Sequence, residues 1–268
     1  MAIEVFSRYE NKYLIDEKTY HFLTSHMNEY MRTDKYNKDN EFYNIANIYY
    51  DTENDELIRK SIEKPVYKEK LRLRSYGVPN FSDTVFLEIK KKYKGLVNKR
   101  RTKLRLSDAY ALVNEGVNPP DYDYINKQVL NEIQYFLSRY KLVPKVYLTY
   151  DRRAYFAKDD FDFRVTFDTN IKSRRKEVCL EAGNYGDLLI GNDLWLMEVK
   201  SSMAVPVWFS DLLSEAKAFS SSFSKYGTDY KRLVKESNTA KIIKGDEIIC
   251  SKQFLTPHQY QPETRSLA

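Results

Sequence analysis

The chain has 268 residues, 42% of them apolar, with 23 tyrosines, so it can bury a substantial core and is not a disordered segment. Lys and Arg number 44 against 38 Asp and Glu, a net charge of +6. That excess is too small to mark a nucleic-acid binder by itself. Cys179 and Cys250 lie far apart without metal-ligand spacing, and His21, His26 and His258 form no cluster, which excludes a disulfide framework and a zinc site.

Charges begin at Glu4 and Arg8, so no signal peptide is expected. No run approaches the ~18 apolar residues of a membrane helix. The expectation is a soluble, cytoplasmic protein.

Ile3 to Ile15 reads as a strand with Arg8, Glu10 and Lys12 on one face and Val5, Tyr9 and Tyr13 on the other. Asp16 is a candidate N-cap for a helix to Met31, on which Tyr20, Leu23, Met27 and Tyr30 recur at helical spacing. His21 and His26 are expected on its surface. Asp34 to Asn40 is loop-like, and Phe42 to Asp51 is an aromatic-rich strand.

The stretch from Lys68 to Lys92 organises the rest. Lys68, Lys70, Arg72 and Arg74 share one strand face and Leu71 and Leu73 the other. In the next strand, Phe86, Glu88, Lys90 and Lys92 oppose Val85, Leu87 and Ile89. A Gly77–Asn80 turn makes the pair an antiparallel hairpin. After Gly95, Lys99, Arg101, Lys103 and Arg105 fall on one parity, and Arg100 falls with Leu104 and Leu106.

Ser107 is expected to cap a short helix to Asn114, and Asn118-Pro119-Pro120 breaks it. Asp121 to Lys141 carries an apolar stripe, Ile125, Val129, Ile133, Phe136, Leu137 and Tyr140, which predicts a helix ended by Pro144. Strands follow over Lys145–Phe156, with Tyr150 and Arg152 on one face, and Phe161–Asp168, with Asp162, Arg164, Thr166 and Asp168 together. Val178 to Leu189 is ambiguous. Leu194–Lys200 is a strand with Glu198 and Lys200 opposite Trp195, Met197 and Val199.

Pro206 opens a helix to Phe223 with Gly227 as its stop, and Thr228 to Lys235 forms one more helix. Beyond Glu236 the chain turns polar, with a hairpin expected about Gly245-Asp246 and a loose tail.

One polar face on one strand is an ordinary solvated face. Repetition of charged faces across at least six strands points instead to convergence. The fold class expected is α+β: an antiparallel sheet closed into a barrel, with a charged interior and helices covering the apolar outside. Residues 1–235 would form this domain and 236–268 a partly disordered extension. Buried cations repel one another and lose hydration, so carboxylates, water or a bound polyanion must compensate. Arg offers bidentate donors to phosphate, Lys a point charge, and Glu among them pairs with cations or holds a hard divalent metal. No Walker loop, dinucleotide fingerprint or Ser/His/Asp arrangement is present.

The ordered set Arg8-x-Glu10-x-Lys12-Tyr13, Lys70-x-Arg72-x-Arg74, Glu88-Ile89-Lys90, Lys99-Arg100-Arg101, Tyr150-x-Arg152, Arg164-x-x-x-Asp168-x-Asn170, Glu198-x-Lys200 and Phe223-Ser224-Lys225-Tyr226 resembles the VTC domain. That is the catalytic domain of the polyphosphate polymerases, within the triphosphate tunnel metalloenzyme, or CYTH-like, superfamily. The resemblance spans Val5 to Leu233. It implies a tunnel that makes inorganic polyphosphate from ATP. Lys12, Arg72, Arg74, Lys90, Lys99, Arg152, Arg164 and Lys225 would be catalytic. Arg8, Lys70, Arg101, Tyr150, Lys200 and Ser224 would bind substrate, and Glu198, Glu10 and Glu88 would hold Mn²⁺ or Mg²⁺. The implied partners are ATP, phosphate and polyphosphate, with no nucleic acid and with a membrane partner conceivable.

Two departures stand out. Ser222 occupies a position where the family often has Lys, which removes one tunnel cation. Eukaryotic members add a phosphate-sensing domain and a membrane segment, and neither is expected here. Superfamily members that hydrolyse tripolyphosphate or nucleotides show more alternating acids than Arg8-x-Glu10-x-Lys12 provides. A phosphatase of the same fold and a non-catalytic polyphosphate-binding module remain the alternatives. The carboxylate of Glu198 speaks against pure anion binding, and aromatics on apolar parities speak against nucleic acid.

Overall fold

The computed structural model describes residues 9–37, 41–160, 162–202 and 204–252, with side chains as far as 239. Arg8, the beginning of the expected first strand, Phe161 and the tail fall outside these residues. The described chain forms β1 (Tyr9–Asp16), α1 (Glu17–Met27), β2 (Met31–Thr33), β3 (Tyr43–Thr52), α2 (Glu56–Ile62), β4 (Tyr67–Tyr76), β5 (Thr84–Tyr93) and β6 (Leu96–Arg105). There follow α3 (Leu106–Tyr110), α4 (Lys127–Arg139), β7 (Leu142–Ala157), β8 (Arg164–Arg174), β9 (Asp187–Leu188), β10 (Leu194–Ser201), α5 (Val207–Glu215) and α6 (Lys225–Lys252).

All pairings are antiparallel, in the order β1-β10-β8-β7-β3-β4-β5-β6, with β2 added to β7 and β9 to β8. The expected closure by strand pairing is not observed: among the described residues β1 and β6 do not pair with each other, and the outer edge of β1 carries an isolated bridge from Tyr13 to Ser220. The sheet nevertheless curls until Lys90 on β5 reaches Glu10 on β1 at 3.3 Å.

The apolar parities face outward beneath helices. Leu71, Leu73, Val85, Leu87, Ile89 and Leu104 pack with Ala109, Leu112, Val129, Ile133 and Phe136 of the segment from α3 to α4. On the other side Tyr13, Ile15, Val165, Phe167, Met197 and Val199 pack with Tyr20, Leu23 and Met27 of α1 and Phe209 and Leu212 of α5. The Tyr20 ring stacks on Trp195 at 3.8 Å. Arg100, the outward cation of β6, is neutralised on this outer face by Glu132 of α4, which also meets Lys91 at 3.5 Å. Two separate apolar layers therefore lie outside the sheet, and the parity left within its curve is mostly charged, with a small buried apolar cluster of Ile45, Tyr150, Ile171 and Leu196 beside it.

Element ends depart from the sequence expectation where tertiary partners decide them. Asp16 does cap α1, accepting from the Thr19 amide at 2.8 Å, but the helix stops at Met27 because Met31–Thr33 is drawn into pairing with β7. The helix expected from Asp121 begins at Lys127, where Asn126 accepts from the Val129 amide. The turn after Ser107 is wider than α-helical over Ala111–Glu115 and closes on Gly116 at φ 73°.

Pro144 lies inside β7, opposite the register shift at Tyr49/Tyr50, where a missing N–H is tolerated. The strand expected to end at Asp168 continues to Arg174. The helix after Pro206 ends at Glu215, since Lys217 takes a left-handed φ of 49°. Gly227 is in the first turn of α6 rather than at a helix stop, and the helix runs through Gly245-Asp246 where a hairpin was expected. α2, unread in the sequence, starts where Asp51 accepts the Leu57 and Ile58 amides at 2.8 and 2.9 Å.

The chain separates into a body ending at Asp229 and a second unit from Tyr230 onward, the latter helical to Lys252. No helix among the described residues is long and apolar enough to cross a membrane.

Ile133 is fully buried in the layer under α4. Ile133→Ala should lower the unfolding free energy by about 2–5 kcal/mol in urea titration while leaving anion affinity unchanged. A loss below roughly 0.5 kcal/mol would mean that α4 is not packed as described.

Candidate polyanion site

Within the curve, two buried carboxylates each gather four cations. Glu88 on β5 is fully buried and meets Arg72 Nε at 2.6 Å, Lys99 Nζ at 3.4 Å, Arg74 Nε at 3.9 Å and Arg101 Nη1 at 4.0 Å. Glu198 on β10 meets Lys12 and Lys200 at 3.2 Å, Lys225 at 3.6 Å and Arg152 at 3.7 Å. The cross-strand register produces the first cluster, because Arg72, Glu88 and Arg101 lie side by side on β4, β5 and β6. It produces the second by pairing Lys12 with Glu198, and Glu198 with Thr166, across β1, β10 and β8.

Asp168 joins the second cluster. It accepts a bidentate pair from Arg152 at 2.6 and 2.7 Å and a third bond from Lys225 at 2.5 Å. Glu10 adds contacts to Lys12 at 3.4 Å and Lys90 at 3.3 Å. Tyr150 accepts from Arg74 Nη2 at 3.1 Å and offers its ring to Lys225 at 4.3 Å. Lys225 opens α6, whose next residue, Tyr226, donates to Asp51 at 3.0 Å. The start of α6 is thereby anchored inside the sheet.

The sequence-derived residues thus converge, with distinctions. Glu10 and Glu198 flank Lys12 and share one region. Glu88 sits apart from them with its oxygens occupied by Arg and Lys, as the counter-charge of its cluster. Ser224 Oγ accepts from the Gly227 amide at 3.2 Å and so caps α6. Arg101 and Lys90 are the more exposed members, at 44% and 36% of their side chains.

Sequence reasoning missed Tyr49 and Asn47, which share the inner parity of β3. Asn47 accepts from Arg74 Nε at 2.9 Å and Tyr49 from Arg72 Nη1 at 3.1 Å. Their alternation with Ile48 and Tyr50 was visible in the sequence but lacks charge. Asp168, quoted there only as a motif residue, proves to be a buried counter-ion.

The electrostatics follow from this crowding. Burial alone would raise Glu88 and Glu198, yet Arg72 and Arg74 around the first, and Lys12, Lys200 and Lys225 around the second, hold both well below the usual carboxylate range. Burial pushes Lys70 down to about 8 and Lys200 down to about 8, the attraction of Glu198 only partly opposing it for Lys200. Glu88 draws Lys99 upward, but burial and the neighbouring Arg74 and Arg72 leave it at about 7. Burial opposes ionisation of Tyr49, but Arg72 and Lys70 prevail and bring it to about 8. Thr166 Oγ1 and Arg164 Nε are buried without a hydrogen-bond partner among the described residues. Carboxylates paired with several cations each, depressed lysines and orphaned donors describe a site with positive charge to spare. It is suited to an anion with several phosphate-like groups.

Comparison with known proteins places this geometry. The family described as the VTC domain matches residues 7–234. A solved structure from Bacillus halodurans, provisionally assigned as an adenylate cyclase, is similar over 83% of this chain and 96% of its own, at 14% identity and a TM-score of 0.51. Another, from Hippeastrum, provisionally assigned as an adenylyl cyclase and described as having a dominant triphosphatase activity, covers 82% and 93% at 15% identity and a TM-score of 0.49. At such identities the likeness concerns the fold.

The lysine values set a pH dependence. Lys70, Lys99 and Lys200 are lower in the fold than their usual 10.5, so their buried charge costs stability below pH 7. That cost is relieved progressively from pH 7 to 8, where the folded groups begin to lose their protons, up to their usual 10.5. Anion affinity runs the other way, because the ammonium groups it needs are lost over the same interval. Affinity for a sulfated polyanion, whose own charge is constant there, should fall between pH 6.5 and 9 by calorimetry, with proton uptake on binding near pH 8. A flat or rising affinity would contradict the assignment.

Proposed function

We infer the function from the premise that this chain belongs to the VTC domain family, within the triphosphate tunnel superfamily, and propose that it is an ATP-dependent polyphosphate polymerase. The observation carrying this reading is the pair of cation-wrapped carboxylates inside the curled sheet. Eight cations converge there on Glu88 and Glu198, four on each, an excess suited to many phosphates at once.

In this proposal the curled sheet works as a tunnel, completed by side chains across the gap between β1 and β6. Arg72, Arg74, Lys90 and Lys99 grip nucleotide phosphates from one wall, and Lys12, Arg152, Arg164, Lys200 and Lys225 do so from the other. Lys70, Arg101 and Tyr150 add further contacts to the phosphates; Arg8, also expected among them, lies outside the described residues. The terminal phosphate of the chain, or phosphate itself, attacks the γ-phosphorus of ATP in line. The new P–O bond forms as the bond to the β-phosphate oxygen breaks, and ADP leaves. Positioning and charge neutralisation suffice, with no covalent enzyme intermediate.

The donor set fits a divalent cation of the Mg²⁺ or Mn²⁺ kind: Glu198 and Glu10 face the same region, and such ions are held by one or two carboxylates plus substrate oxygens. No trio of His, Cys, Asp or Glu gathers among the described residues, so substrate oxygens would complete its shell. When bound, the ion would neutralise charge developing on the transferred group. Lys12, between the two carboxylates at 3.4 and 3.2 Å, would then orient the phosphate.

Purified protein given ATP and Mn²⁺ should release ADP and yield a ladder of polyphosphate on a gel, in matching amounts. Arg72→Ala and Glu198→Gln should lower turnover by about 10²–10³-fold with the circular-dichroism spectrum retained. ADP with free phosphate and no ladder would assign a phosphatase of the same fold. Tight polyphosphate binding without turnover would assign a binding module.

A further inference from the structure

One end of the inner face differs in chemistry from the rest. Above Arg74 on β4 comes Tyr76, above Glu88 on β5 comes Phe86, and above Ile45 on β3 comes Tyr43, all on the inner parity. Their rings form a chain: Tyr43 to Tyr76 at 6.0 Å, and Tyr76 to Phe86 edge-on at 5.8 Å. The Arg101 guanidinium lies over Phe86 at 4.6 Å. Tyr76 remains 51% exposed, although an apolar ring beside a charged interior would gain by being covered. Arg164 carries a second, independent sign at this end. Its Nε is buried without a hydrogen-bond partner among the described residues, its ion pair to Asp34 is long at 3.6 Å, and its guanidinium lies over Phe156 at 4.6 Å. At the opposite end of the same strands, Lys68 pairs with Lys92 in register and supplies amines instead of rings.

We infer that Tyr43, Tyr76 and Phe86, bordered on the phosphate side by Arg101 and Arg164, form a collar that stacks the nucleobase of the donor nucleotide; this rests on the polymerase reading. The spacing agrees. Successive inner residues of β4, Tyr76, Arg74, Arg72 and Lys70, stand about 7 Å apart, two strand residues at a time. A base at Tyr76 therefore sends its ribose and phosphates along the arginines toward Lys70. Aromatic faces and guanidinium planes hold a base by stacking, whereas the phosphate grip alone does not distinguish a nucleotide from inorganic tripolyphosphate. The collar supplies that distinction.

The test compares binding of the β,γ-imido analogue of ATP with that of inorganic tripolyphosphate, both with Mg²⁺, by calorimetry. Tyr76→Ala and Phe86→Ala should each weaken the nucleotide about 5- to 100-fold and change tripolyphosphate affinity less than about 2-fold. Tyr76→Trp should keep the nucleotide affinity. Equal losses for both ligands, or none for the nucleotide, would overturn the collar. Should an alanine variant fail to fold, photolabelling of the native protein with 8-azido-ATP decides. Adducts on peptides holding Tyr43, Tyr76 or Phe86 support the collar, and adducts confined elsewhere refute it. Base-selective binding without polyphosphate synthesis would sustain the collar and end the polymerase reading. Synthesis with base-independent binding would do the reverse.

Discussion

A carboxylate buried within a sheet must be surrounded by positive charge, and the rest of this architecture depends on that requirement. Glu88 and Glu198 are each deprotonated because cations from neighbouring strands converge on them. Those cations in turn tolerate burial because a carboxylate stands among them. The arrangement is self-consistent but leaves positive charge in excess. A pair of buried charges seldom adds net stability over an apolar pair of equal volume. The interior is therefore better understood as a binding site that the fold carries than as a core that drives folding. Most of the hydrophobic stabilisation comes from the two apolar layers beneath the helices, and a smaller apolar cluster of Ile45, Tyr150, Ile171 and Leu196 adds to it from within the curve. This inverts the usual small barrel, whose interior is filled with apolar side chains.

The start of α6 matters for the same reason. Lys225 inserts between Asp168 and Glu198, Tyr226 is tied to Asp51, and Asp229 meets Arg175 at 2.7 Å. A short stretch from late in the sequence thus completes a site begun by its first strand. Asp51 accepts from both Tyr226 and the amides that begin α2, so one carboxylate ties the start of α2 to the turn that carries Lys225. The sheet does not pair β1 with β6, and Lys90 on β5 meets Glu10 on β1 near its two ends.

Much of this was legible in alternation. Leu71 and Leu73 against Arg72 and Arg74, and Val85, Leu87 and Ile89 against Glu88 and Lys90, told which parity would be charged. Arg100, out of step with Lys99 and Arg101, was correctly set on the other face. Period two is a property of the backbone and survives tertiary context. Element ends did not survive it. Met31 left its helix for a strand, Pro144 entered a strand at a bulge, and Gly245-Asp246 stayed helical, because pairing partners and neighbouring turns outweigh local preference. The cations around Glu88 were hidden for another reason: alternation places a glutamate on the charged face, and only register shows which cations reach it. Tyr49 and Asn47 carried no charge to draw attention to their face.

The central claim is that the inner face carries uncompensated positive charge awaiting a phosphate polyanion. Thermal unfolding at fixed pH and ionic strength, with inorganic tripolyphosphate replacing chloride, tests it most directly. The account predicts saturable stabilisation, about 2.7 kcal/mol at a hundredfold excess over the dissociation constant, with sodium chloride at equal ionic strength giving no such rise. Equal responses to the two salts would mean that the interior charges are already balanced, and the claim would fall.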